Sequence, residues 1–190
     1  MNLDPVTGVI LAGGQSRRFG SDKALFEIDG VSMIQRAYNT LCKVTSSVFI
    51  SVASDHIHYD IPADHLIDHP GYAGPLAGIH AALQAASTTW VLVLAVDLPH
   101  VQPYHLSLLL EARAPSADAI ISTTQNRTQP LCACYHTRTL PKLEALLNQK
   151  QFRVSTFLNS LNVKQIKFNP ESLINLNTPV PRTRNPKPET

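Results

Sequence analysis

With 190 residues, 44% of them hydrophobic and 16% charged, the chain has enough length for one compact domain with apolar cover on both faces of a sheet, and its composition excludes a wholly disordered protein. Its apolar runs are strand-length, which argues against a membrane-spanning helix, and a net charge of +2 carried by mostly scattered basic residues argues against a general nucleic-acid binder. Three cysteines are expected as reduced thiols, with Cys132 and Cys134, spaced to share one face of a strand, buried rather than forming a disulfide or metal pair.

Met1-Asn2-Leu3-Asp4-Pro5 lacks the basic and long apolar stretches of a secretory signal, so a soluble, cytoplasmic protein is expected. Val6 to Ala12 then reads as a strand, Val31 to Cys42 as a helix and Val48 to Val52 as a second strand. Leu76, Ile79, His80 and Leu83 recur at helical spacing in the segment Pro75 to Ala86, with proline suited to the first turn. Trp90 to Val96 is a near-continuous apolar run, the pattern of a central strand covered on both faces, and it ends abruptly in Asp97-Leu98-Pro99. Beyond it, Tyr104 to Arg113 predicts a helix, Ala119 to Thr123 and Leu131 to Tyr135 predict strands, and Leu140 to Asn148 returns to helical period. The order βαβαβαββα predicts an α/β three-layer sandwich around a mostly parallel, Rossmann-like sheet with one antiparallel excursion. One domain is expected over residues 1–178, and the proline-rich stretch 179–190 is expected to be a disordered tail.

The segment with most chemistry is Leu11-Ala12-Gly13-Gly14-Gln15-Ser16-Arg17-Arg18-Phe19-Gly20-Ser21-Asp22-Lys23, directly after the first strand. Glycines beyond the carboxyl end of a strand let backbone N–H groups approach phosphate oxygens, and Arg17, Arg18 and Lys23 add positive charge for a triphosphate. Neither G-x-x-x-x-G-K-[ST] nor G-x-G-x-x-G is present, so the loop is neither of those nucleotide fingerprints. The bland alternative is a glycine turn followed by a solvated basic loop. Asp97, at the end of the most apolar strand, needs exposure or a cation partner; Mg²⁺ is one candidate, and capping of the Asp-Leu-Pro turn is the other. The histidines, among them His56, His58, His65 and His69, complete no zinc ligand set, and no Gly-x-Ser-x-Gly elbow is present.

The loop Leu-Ala-Gly-Gly-x-Ser-Arg-Arg-x-Gly-x-Asp-Lys resembles the signature of GT-A-like nucleotidyltransferases, of nucleotide-diphospho-sugar transferase type. The wider chain is similar to the molybdenum cofactor guanylyltransferases, the MobA family. That likeness rests on Gly74-Pro75-Leu76-Ala77-Gly78-Ile79, Asp97-Leu98-Pro99, Gln129-Pro130-Leu131 with Tyr135, and Asn175-Leu176-Asn177-Thr178-Pro179. The loop alone is shared with cytidylyl and sugar-phosphate nucleotidyltransferases, which stand as rival readings beside a nucleotide-binding regulatory protein without turnover.

The resemblance implies transfer of GMP from GTP to the terminal phosphate of molybdopterin or molybdenum cofactor. It implies GTP contacts from Leu11, Ala12, Gly13, Gly14, Arg17, Lys23, Asp68 and Asp97, catalytic roles for Lys23, Arg18 and Asp97, and Mg²⁺ on Asp97. Without it Asp68 reads as a turn residue, and Gly74 and Gly78 read as points where a helix start comes close to sheet and nucleotide. Arg153, Asn175 and Asn177 resemble the pterin-side positions, although a lone arginine is usually solvated and the asparagines also fit the end of a strand. Ser51-Val52-Ala53-Ser54 departs from the family, which often has asparagine after the second strand. The expected partners are GTP, a molybdopterin-type acceptor and proteins that insert molybdenum or receive the product. No nucleic-acid or membrane partner is expected, and the chain is expected as a monomer or weak oligomer.

Overall fold

The strand-length apolar runs and the helices between them assemble into three layers. The computed structural model describes residues 4–13, 22–125 and 127–176. Strand β1 (Val6–Leu11) is followed by a 3-10 turn at Lys23–Leu25, the short strands β2 (Glu27–Ile28) and β3 (Val31–Ser32), helix α1 (Met33–Leu41), β4 (Ser47–Val52) and β5 (Asp64–Ile67). Then come α2 (Pro75–Ala85), β6 (Trp90–Ala95), α3 (Pro103–Glu111), β7 (Ala119–Thr123), β8 (Thr128–His136), α4 (Leu140–Asn148), α5 (Val154–Asn159), β9 (Val163–Lys167) and a 3-10 turn at Pro170–Leu173.

The main sheet has the order β5-β4-β1-β6-β8-β7-β9. Every neighbouring pair is parallel except β6–β8 and β7–β8, so β8 alone runs against the rest. This is the expected parallel sheet with one antiparallel excursion. Strand alternation divides the core. Ile10, Ile50, Leu92, Leu94, Ile120, Cys132 and Cys134 face α1 and α3, whereas Val9, Val91, Val93, Ile121, Ala133 and Tyr135 face α2, α4 and α5. All six residues of β6 are buried, and complete burial of each aliphatic side chain favours folding by about 1.5–3 kcal/mol. Cys132 and Cys134 are buried free thiols on one face, and burial pushes the Cys132 thiol up to about 12 against a hydrogen bond from Ser122.

The differences from the expected elements have local causes. The first helix starts at Met33 rather than Val31, because Ser32 caps it with Oγ accepting from Gln35 N at 3.3 Å. The turn before it needs positive φ at Asp29 (52°) and Gly30 (75°), which closes the small β2–β3 hairpin. Strands β5 and β9 escaped the sequence reading because they lie at the two sheet edges, where half-exposed polar positions interrupt the apolar pattern. No helix among the described residues is long and apolar enough to cross a membrane. The stretch 179–190 lies outside the described residues.

At the edge opposite β5, one carboxylate ties β7, β9 and α4 together. Asp118 accepts from Arg138 Nε at 2.8 Å, from Lys142 Nζ at 3.2 Å and from Asn162 N at 3.1 Å, while Arg138 also donates to the carbonyls of Pro115 and Ala117. Burial pushes its carboxyl upward, but the Asn162 N–H and the Arg138 and Lys142 charges outweigh it and hold the group at about 2. A folded-state value below the ordinary 3.8 means that this stabilisation is present above pH 3.8 and is lost as the pH falls toward 2. Asp118→Asn should therefore cost about 1–2 kcal/mol at pH 7 in urea unfolding, and the gap from wild type should close between about pH 4 and pH 2.

Candidate active site

Strand order places a crevice where the connections diverge. From β1 the chain moves outward through β4 to β5, then returns to β6 on the other side of β1, so the carboxyl ends of β1 and β6 flank a topological switch point. The glycine loop leaves β1 there, and Asp97 follows β6 there. Leu11 lies in register between Ser51 of β4 and Ala95 of β6, and its carbonyl accepts from Val96 N at 3.2 Å. Ala12 N continues the ladder by donating to Ser51 O at 3.0 Å. Gly14, Arg17 and Arg18 lie outside the described residues, as does Asn177.

Lys23 and Asp97, separated by 74 positions in sequence, meet at this crevice with Nζ 3.1 Å from Oδ2. Asp22 holds the turn that presents the lysine. One of its carboxylate oxygens accepts from Ala24 N at 2.9 Å, and the other accepts from the phenol of buried Tyr59 at 2.8 Å. Burial first, and then the Asp22 carboxylate, push the Tyr59 phenol upward, so it stays a protonated donor.

The second oxygen of Asp97, Oδ1, is buried with no hydrogen-bond partner among the described residues. A buried carboxylate oxygen left in that state is costly, and a cation would satisfy it. The described residues contain no group of three or more His, Cys, Asp and Glu side chains able to hold a metal. A single carboxylate of this kind suits a divalent cation that completes its shell with waters and substrate phosphates.

Asp68 stands at the far side of the crevice, just after β5, with its N–H donating to Val52 O at 2.9 Å. Its Oδ1 accepts from Ser51 Oγ at 2.6 Å. Burial raises the Asp68 carboxyl above its usual range, and the Ser51 hydroxyl partly opposes that shift. Three strand spacings separate β5 from β6, roughly 14 Å, which an extended nucleotide can bridge. Packing here has no room for extra atoms. A Cβ on Gly13 would fall 2.9 Å from Asp68 Oδ2, and one on Gly78 of α2 would fall 2.5 Å from Ser51 Oγ and 2.7 Å from Leu11 Cδ2. Gly74 has a separate requirement: φ of +69° with ψ of −165° at the start of α2 is a backbone conformation essentially reserved for glycine.

The C-terminal segment reaches the same crevice from the other side. Leu176 N donates to Asp97 O at 3.0 Å, and Asn175 Oδ1 accepts from Gln129 Nε2 at 3.0 Å. These asparagine-bearing residues follow a 3-10 turn rather than end a strand. Leu11, Gly13, Lys23, Asp68, Asp97 and Asn175 thus line one end of the sheet. Arg153 is exposed just before α5, and its side chain makes no hydrogen bond or ion pair among the described residues. Sequence reading had no way to find the hydroxyl donors of Ser51 and Tyr59, since each acts through a contact remote in sequence.

The sequence matches the MobA-like NTP transferase domain family over residues 8–164. It is 34% identical over 175 residues to the molybdenum cofactor guanylyltransferase of Vibrio atlanticus, covering 90% of each chain. It is 33% identical over 185 residues to that of Photobacterium profundum, covering 94% of each. The fold superposes on the crystal structure of molybdopterin-guanine dinucleotide biosynthesis protein A from Archaeoglobus fulgidus with a TM-score of 0.78 and 26% identity, covering 91% of this chain and 93% of that one.

The close fit at Gly78 is directly testable. Alanine gains about 1 kcal/mol in helix propensity, but overpacking against Ser51 and Leu11 costs about 1–3 kcal/mol. Gly78→Ala should therefore lower the urea midpoint, whereas an unrelated helical glycine replaced by alanine would raise it.

Proposed function

Because the chain belongs to the MobA-like NTP transferase family, we propose that it transfers the guanylyl group of GTP to the terminal phosphate of a molybdopterin-type acceptor. The observation that carries this reading is the Lys23–Asp97 pair at the switch point, with one Asp97 oxygen engaged at 3.1 Å and the other buried without a partner. A nucleotidyl transfer brings two anionic groups together, the nucleotide triphosphate and the acceptor phosphate, and this is where such a fold can neutralise them.

In the reaction, an oxygen of the acceptor phosphate attacks the α-phosphorus of GTP. The bond from that phosphorus to the oxygen bridging the β-phosphate breaks, and pyrophosphate leaves with the bonding electrons. The product carries a new phosphoanhydride between pterin and guanosine. Since the attacking phosphate is already an anion at neutral pH, no side chain has to act as general base. Lys23 binds phosphate oxygens as a point charge, Gly13 keeps the β1 loop free of side-chain bulk, and Arg17 and Arg18 in the same loop add guanidinium donors. Asp97 Oδ1 would hold Mg²⁺, which supplies charge neutralisation at the transferring phosphate when bound. Asp68, oriented by Ser51, sits on the base or ribose side, and Arg153, Asn175 and Asn177 serve the pterin side. The reading assigns the catalytic unit to residues 1–178, with 179–190 as a tail beyond it, and a cytoplasmic location.

Pyrophosphate release with Mg²⁺ and each of GTP, CTP, ATP and UTP, with and without a molybdopterin-type acceptor, tests the proposal. Release that requires both GTP and acceptor is expected. Preference for CTP or UTP would transfer the chain to the cytidylyl or sugar-phosphate enzymes, and tight GTP binding without release would make it a binding protein.

A further inference from the structure

Gln129 has no role in the reaction just described, yet the fold is bent around it. The β7–β8 register slips between Ile121, which faces Ala133, and Ser122, which faces Gln129, so residues 130–132 bow out of the ladder. Pro130, with no N–H to contribute, suits such a bulge, and bulges commonly re-aim side chains beside active sites. Two hydroxyls hold the distortion. Tyr135 donates to Pro130 O at 2.8 Å, and Ser122 Oγ lies 2.9 Å from Cys132 O and 3.3 Å from Gln129 O. Because β8 runs against β6, the bulge stands at the carboxyl end of β6, beside Asp97.

The Gln129 side chain emerging there is only 4% exposed, and a buried amide must find partners for its donors. Its Nε2 donates to Asn175 Oδ1 at 3.0 Å. The next residue, Leu176, is fixed to the Asp97 carbonyl at 3.0 Å. Asn175 is thereby held twice, through its side chain against β8 and through the adjacent backbone against Asp97 at the end of β6. The direction of the amide bond has a chemical consequence: with Oδ1 engaged by Gln129, the Nδ2 amino group is the end of Asn175 available to a ligand.

We infer that Gln129 is a positioning residue for the acceptor half of the site, holding the Asn175 amide so that it donates to a hydrogen-bond-accepting oxygen or ring nitrogen of the acceptor and keeps that group in line with Asp97. The inference rests on the guanylyl-transfer reading, which places Asn175 on the acceptor side. A glutamine at this bulge sets where the acceptor lies and leaves the GTP half of the crevice, at β1 and β5, untouched.

Steady-state pyrophosphate release by the full chain, with GTP and a molybdopterin-type acceptor varied separately, tests it on wild type, Gln129→Met, Asn175→Ala and the double variant. Gln129→Met should raise the acceptor KM about five- to tenfold, as expected for loss of one hydrogen bond, with the GTP KM changed less than twofold. In the Asn175→Ala background it should add nothing further. Equal shifts in both KM values, or the same loss in the Asn175→Ala background, would show a general structural role and overturn the inference. If Gln129→Met does not fold, the isosteric Gln129→Glu, which cannot donate to Asn175 Oδ1 when ionised, should give the same split, and an unchanged acceptor KM overturns the inference. Wild-type release that ignores the acceptor would overturn the guanylyl-transfer reading along with it, whereas acceptor-dependent release with Gln129 variants of normal acceptor KM would overturn this inference alone.

Discussion

A carboxylate at the end of a fully buried strand needs either exposure or a cation beside it, and half-buried Asp97 has some of each. β6 is apolar on both faces because helices cover the sheet on both sides, so the chain passes from a dry core to a charged group within two residues. Cations beside it offset the part of that group that is buried. Lys23 supplies one from the loop after β1. The unpartnered Oδ1 calls for a second, and that need links the fold to nucleotide chemistry.

The rest of the architecture serves to bring other groups to the same end of the sheet. The strand order makes β1 and β6 neighbours while sending their connections to opposite sides, which opens the crevice between them. Glycine at 13 and 78 lets the β1 loop, Asp68 and α2 approach more closely than any side chain would permit. The reversed β8 strand, with its bulge, delivers Gln129 to the same place and through it the C-terminal Asn175-Leu176 segment. Asp22 is fixed by Tyr59, a residue 37 positions away, and so holds Lys23 in reach of Asp97. Three of these contacts are hydrogen bonds between segments far apart in sequence, so the geometry depends on the completed sheet and not on any local motif.

That dependence explains what could be read in advance. The strand Trp90 to Val96 and the helix beginning at Pro75 announce themselves through continuous hydrophobicity and helical spacing, because burial on both faces or on one stripe leaves a direct imprint on residue type. The edge strands β5 and β9 leave no such imprint, since half of each is exposed. Within the site, Lys23 is legible as a cation in the loop segment after β1 and Asp97 as a carboxylate at the end of β6, and their meeting follows from the neighbouring positions of those strands. Ser51 carried no signal of its bond to Asp68, because a serine in a strand looks like any small polar residue. The placement of Asn175 beside Gln129 likewise required the bulge, a one-strand irregularity that hydrophobic periodicity does not encode.

The role of Asp97 as a cation ligand is tested most directly by calorimetric titration of a non-hydrolysable GTP analogue into wild type and Asp97→Asn, each with Mg²⁺ and with chelator. If Oδ1 holds the ion, Mg²⁺ tightens binding by roughly tenfold or more in wild type, about 1.4 kcal/mol, and has little effect in the asparagine variant, which keeps the shape but loses the charge. The same gain from Mg²⁺ in both proteins would contradict it and would leave Asp97 as a partner of Lys23 alone.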